Sequence, residues 1–221
     1  MRFQIISLRK ASLALDVPFK LVELTELNEY TCFLYRCEGS VSIHRHLDHD
    51  ELLWPQDRDI FLAGNVKKIV VEAGKLVRIP RGWKHGSMAR VPAYVLLISR
   101  GQRSRSLNGY YQKVKPEPPQ IVSPDAGLED VGDNMPHLFL HCDALRLYSE
   151  RVMGTGNVRW AKNDVLIIPI KGSVGVRCGG IVTVAQETEL VRIPANSGWH
   201  LFGEATVVWM TPTHADKEGE A

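Results

Sequence analysis

Gly39-Ser-Val-Ser-Ile-His-Arg-His-Leu-Asp-His-Asp-Glu51 and Gly74-Lys-Leu-Val-Arg-Ile-Pro-Arg-Gly-Trp-Lys-His85 are the two stretches whose reading decides the fold. His44 and His46 stand two apart in a run of β-forming residues, so a strand there points both imidazoles to one face. Glu51 comes after the polar turn Leu47-Asp-His-Asp50, and His85 arrives from a distant segment. Three imidazoles and a carboxylate form an N3O donor set suited to Fe(II), Mn(II), Ni(II), Co(II), Cu(II) or Zn(II). On a six-coordinate ion this set leaves two positions for water, substrate or dioxygen, and an open position separates a working metal from a structural one. The competing reading is plainer. His49 shows that the segment is simply rich in His and Asp, and a lone His-x-His is more often a surface pair.

Working outward, the pattern around these stretches is β. Phe19–Leu24, Tyr30–Tyr35, Ser40–His46, Asp59–Leu62, Val66–Val71, Leu76–Ile79 and Tyr94–Ser99 are short runs of β-branched and aromatic residues between charged or Gly-containing turns. No apolar 3.6-residue period of useful length interrupts them, which predicts an all-β sandwich or barrel. Ahead of them, Ser7–Asp16 reads as a short helix or an added strand, ended by Pro18.

An internal repeat sets the domain organisation. Leu76-Val-Arg-Ile-Pro80 recurs unchanged as Leu190-Val-Arg-Ile-Pro194, a displacement of 114 (190 minus 76). The same displacement sets Leu52 on Leu166, Pro55 on Pro169, Ile60 on Val174 and Val70 on Val184. Duplication of one all-β domain explains this register better than coincidence. The expected layout is an N-terminal barrel over 19–100, a Pro-rich linker over 101–136, a C-terminal barrel over 137–212 and a disordered tail over 213–221. At this displacement His44 falls on Val158, His46 on Trp160 and Glu51 on Val165. Only His200, in Gly198-Trp-His, lies near the place of His85, so the second copy is expected to bind no metal and to support the first.

Composition bounds the function classes. At 221 residues the chain is long enough for two cores, and 44% apolar with 24% charged content is ordinary for a globular protein. A net charge of +2 makes no electrostatic case for nucleic acid or an anionic membrane. No run approaches the roughly 18 apolar residues of a membrane span. Met1–Leu15 lacks the compact apolar core of a secretory signal. Four scattered cysteines without a CxxC pair are expected to be reduced thiols, and the cytoplasm is the default location.

The two opening stretches resemble the paired motifs of the cupin superfamily. The second motif runs Gly, five residues, Pro-x-Gly, two residues, His, and Gly74, Pro80, Gly82 and His85 match it at every spacing. His44, His46 and Glu51 match the ligands of the first motif. Gly39 lies one residue too close to His44, Arg58 stands where that motif ends in Gly, and Ala89 replaces the closing Asn of the second. The resemblance covers both halves and implies a bicupin: two tandem double-stranded β-helix (jelly-roll) barrels. It further implies one divalent metal per chain on His44, His46, Glu51 and His85, with Fe(II) expected first. For function it implies a metal-dependent enzyme on a small organic molecule, of dioxygenase type. An isomerase of a small sugar or keto-acid and a non-enzymatic small-molecule sensor are the alternatives. A monomer or a homodimer is expected. Tyr35, Arg36, Arg78, Lys84 and Tyr94 have the chemistry for substrate contact, but the recurrence of Arg78 as Arg192 favours a structural role shared by both copies.

Overall fold

The computed structural model describes residues 3–64, 68–100 and 116–213. The tail expected over 213–221 therefore lies, beyond Thr213, outside the described residues. The chain starts with strand β1 (Gln4–Ser7) and a short helix α1 (Leu8–Ser12), in which Ser7 Oγ accepts the amide of Lys10 at 3.3 Å. Within Ser7–Asp16, which reads as a short helix or an added strand, the helix is what forms, and β1 ends at its first residue. Strands β2 (Val22–Leu27), β3 (Tyr30–Ser40), β4 (Glu51–Pro55), β5 (Ile60–Gly64), β6 (Ile69–Val71), β7 (Leu76–Ile79), β8 (His85–Arg100) and β9 (Gln120–Val122) come next. After a 3-10 turn at Leu128–Asp130 come β10 (His137–Cys142), β11 (Leu145–Thr155), β12 (Arg159–Ala161), β13 (Val165–Cys178), β14 (Ile181–Ala185), β15 (Glu189–Ile193) and β16 (Ser197–Pro212). No described helix is long and apolar enough to cross a membrane.

Two units result, Ser12–Val122 and Met1–Ala11 with Ser123–Ala221. The N-terminal unit orders its antiparallel strands β2-β3-β8-β4-β7-β9, with the β5–β6 hairpin joined to β8 through β5. The C-terminal unit runs β1-β15-β13-β16-β11-β10, with β12 on β16 and β14 on β13. What β4 and β5 do as two strands against β8, β13 does as one against β16. Burial alternates identically along β2 and β10, as expected of strands with one face inward. Each unit has its own apolar core: Leu53, Ile60, Leu62, Val77 and Ile79 in the first, Ile167, Val176, Val191, Ile193 and Trp199 in the second.

Two segments extend the units past the limits read from sequence. The stretch 101–136, read as linker, contributes β9, where Gln120, Ile121 and Val122 pair with Arg78, Val77 and Leu76. β9 is a sheet edge, and an edge tolerates the flanking prolines that argue against a strand. β1 pairs with β15 of the C-terminal unit, Gln4 opposite Arg192.

The repeated Leu-Val-Arg-Ile-Pro has a physical cause. Arg78 Nε donates to Asp50 Oδ2 at 2.5 Å, and Asp50 Oδ1 accepts the amide of Arg81 at 2.9 Å. In the second unit Arg192 Nη2 donates to Asp164 Oδ2 at 2.5 Å, and Asp164 Oδ1 accepts the amide of Ala195 at 2.9 Å. Each pair ties the strand bearing the repeat to the start of a neighbouring strand and caps the turn after it. Asp164 and Arg192 are both buried, and a buried pair that loses one member leaves an uncompensated charge. Asp164→Ala is therefore expected to cost about 3–5 kcal/mol, read as a lowered urea midpoint.

Candidate metal centre

His44 and His85 face each other through two reciprocal backbone bonds, each amide donating to the other's carbonyl at 2.8 Å. This is an isolated bridge. The strand expected over Ser40–His46 ends as β3 at Ser40; beyond it His44 lies in the bridge and His46 in no strand. Ser40 and Ser42, on the same alternation, are exposed. Glu51 opens β4, opposite Ile79 and Ser99, and His85 opens β8. The side-chain donors of His44, His46, Glu51 and His85 lie within 4.8 Å of one another.

Backbone carbonyls fix two of the rings. His44 Nδ1 is 2.9 Å from the carbonyl oxygen of Ser42, and His85 Nδ1 is 3.1 Å from that of Trp83. A carbonyl only accepts, so each Nδ1 carries hydrogen and donates. Such an outer partner sets the tautomer of a metal-ligating histidine and aims the other nitrogen, here Nε2, at the ion.

Glu51 is 7% exposed and faces two Nε2 atoms, that of His85 at 2.9 Å and that of His46 at 3.3 Å. The His46 contact is close enough for the carboxylate to raise that imidazole's pKa, with burial opposing. It is nevertheless misaligned, so His46 Nε2 is buried without a hydrogen-bond partner. Burial pushes the Glu51 carboxyl up, but His46 and His85 together outweigh it and bring it down to about 2. A buried carboxylate and three converging imidazoles, two of them with Nδ1 turned to a backbone carbonyl, fit a divalent cation placed among them.

The turn between His46 and Glu51 carries a residue that in sequence counts as mere richness in histidine. His49 is 4% exposed, with Nδ1 at 2.7 Å from Asp48 Oδ1 and Nε2 at 2.9 Å from Ser99 Oγ. Its ring lies 4.8 Å from that of His46. With Asp50 held by Arg78 and Arg81, the four-residue spacing between His46 and Glu51 is fixed from both sides.

Gly82 takes the left-handed conformation (φ 82°), and its amide donates to the carbonyl of His46. Trp83 stacks near-parallel to His85, centroids 6.3 Å apart, and packs against the N-terminal core. A Cβ on Gly64 would lie 2.3 Å from Trp83 Cη2. Gly64→Ala is expected to drive Trp83 off this seat, costing about 1–3 kcal/mol and shifting tryptophan emission.

The C-terminal unit corrects the correspondence read at constant displacement. Arg159 pairs with Trp199, and Ala161 with Ser197, in the register that joins His44 to His85. Asn196, with φ 59°, gives its amide to the carbonyl of Ala161 as Gly82 gives its own to His46. The four ligand places are therefore taken by Arg159, Ala161, Val165 and Trp199, none of which offers a metal donor. Val158 and Trp160 are instead 74% and 67% exposed, and His200 is one residue past the place of His85. The β12–β13 turn is one residue shorter than its counterpart, which displaced the alignment by one.

No protein-family model matches the chain, and no curated protein is a match to it in sequence. Its likenesses are to solved structures. A salicylate 1,2-dioxygenase from Pseudaminobacter salicylatoxidans superposes with a TM-score of 0.75 at 13% identity, over 96% of this chain and 84% of that one. A cupin 2 conserved barrel domain protein from Leptotrichia buccalis gives 0.70 at 11% identity, over 95% and 96%. Protein Ylba from E. coli gives 0.70 at 10% identity, over 99% and 93%. At these identities the likeness is one of fold. The chain has the fold of two tandem cupin barrels, and its N-terminal barrel gathers a His/Glu cluster able to bind a metal.

Proposed function

We propose that the protein is a metal-dependent enzyme of dioxygenase type. It holds one divalent metal, Fe(II) by preference, on His44 Nε2, His46 Nε2, Glu51 and His85 Nε2, and acts on a small organic molecule. The observation that carries this reading is the gathering of the four donors within 4.8 Å of one another, with His46 Nε2 buried and making no hydrogen bond. A structure of the dioxygenase with the same fold is described as an adduct with gentisate, which makes small aromatic acids the first substrates to try. The metal would supply a Lewis-acid centre with positions left open for substrate and dioxygen. The chain's own residues orient it: Ser42 and Trp83 through the histidine tautomers, His49 through the turn. The C-terminal barrel, with no donor at the matching places, takes no second metal. Four buried free cysteines suit a reducing compartment and hence the cytoplasm.

Elemental analysis of protein purified without chelator is expected to find about one metal per chain. His46→Ala should lose it while keeping its β circular dichroism; protein that takes up no metal on titration refutes the site. His49→Ala is expected to weaken Co(II) binding roughly 10–100-fold, the usual cost of losing a residue that supports a ligand, and to change the cobalt visible spectrum. Oxygen uptake with gentisate, catechols, thiols and diketones tests the reaction. Metal bound without uptake on any of them would replace the enzyme by a binding protein.

A further inference from the structure

At the place where the N-terminal unit gathers its donors, the C-terminal unit has a side-chain cluster for which the metal reading has no use. Arg159 stands opposite Trp199 as His44 stands opposite His85. Its Nη1 donates to Glu150 Oε2 and its Nη2 to Glu150 Oε1, both at 2.7 Å. Two parallel bonds between guanidinium and carboxylate are the strongest and most directional form of this pair. Glu150 has no exposed surface and accepts a third bond from Trp209 Nε1 at 3.1 Å. The guanidinium carbon lies 5.2 Å from the ring centre of Trp199 and 5.6 Å from that of Trp209, within cation–π reach. The two indoles meet edge to face at 5.7 Å, and Tyr148 stacks on Trp209 at 4.1 Å.

We propose that the C-terminal barrel contains a binding site for a planar organic cation, built from Glu150, Trp199 and Trp209, which the chain fills with its own Arg159. The carboxylate supplies the charge and two parallel acceptors, and the indoles supply the electron-rich faces. Both features select a guanidinium over an ammonium, which cannot bridge two oxygens in one plane. The occupant is tethered through β12, a three-residue strand that pairs, among the described residues, with β16 alone. Seating the guanidinium therefore docks this short strand on its barrel, at the point where metal ligation would join the equivalent segments of the other barrel. The site stands on its own geometry and does not depend on the metal reading.

Chemical rescue of the full chain tests it. Arg159→Ala strands Glu150 and is expected to lower the melting temperature by about 10 °C or more. Ethylguanidinium at about 10 mM, far below denaturing concentrations, should restore part of that loss by binding the vacated site. N-ethylurea, planar and neutral, should not, and adding Glu150→Gln to Arg159→Ala should abolish the rescue. The proposal is overturned if Arg159→Ala melts with the wild type, if ethylguanidinium restores no more than N-ethylurea, or if rescue persists without Glu150. Should Arg159→Ala fail to fold, the yield of soluble protein on refolding with each additive reads the same comparison.

Discussion

Glu51 is 7% exposed and Glu150 is fully buried, and an ionised carboxylate taken out of water must be met by charge and hydrogen bonds or it destabilises the fold. Each barrel answers this constraint with a cluster drawn from several strands. In the first, Glu51 from β4 meets His46 and His85, and the net result is a carboxyl held at about 2 despite its burial. In the second, Glu150 from β11 meets the fork of Arg159 from β12 and the indole N–H of Trp209 from β16. Beside these, Asp50 and Asp164 are neutralised in the same way by Arg78 and Arg192.

The last two pairs and the first two clusters differ in what duplication has kept. Asp–Arg pairing, with the aspartate also capping a backbone amide, is present in both units, through Nε of Arg78 in one and Nη2 of Arg192 in the other, because it ties strand to strand wherever the chain folds this way. The ligand places diverge completely. A His/Glu constellation leaves His46 Nε2 buried without a hydrogen bond, an arrangement able to take a cation from outside. The Arg159–Glu150 cluster carries its own cation and is complete as it stands. One barrel thus gathers donors open to a cation and the other supplies its own, although both use the same strand order.

Parts of this were legible in the chain. Short β-branched runs without helical period gave the all-β class, Leu-Val-Arg-Ile-Pro gave the duplication, and His44, His46, Glu51 and His85 came together as donors. Other parts were not. β9 was hidden because its strand signal is three residues among prolines, and an edge position is a property of the sheet rather than of the segment. Arg159 was hidden by a turn one residue shorter than its counterpart, which leaves the strands in register while shifting the numbering between them. The partner of Arg78 was available, since Asp50 and Asp164 share the displacement of the repeat (164 minus 50 is again 114).

The sequence by itself determined the class of fold, the presence of two copies and the chemical types in the His/Glu cluster, because periodicity, repetition and donor chemistry are local or countable along the chain. Only the tertiary structure decided that His49 braces the ligand turn through Ser99, that β1 belongs to the sheet of the C-terminal unit, and that a guanidinium stands where the other barrel places a histidine. Those are meetings of residues far apart in the chain. Strand register and the loss of one residue in a turn set them, and neither leaves a mark that spacing alone reveals.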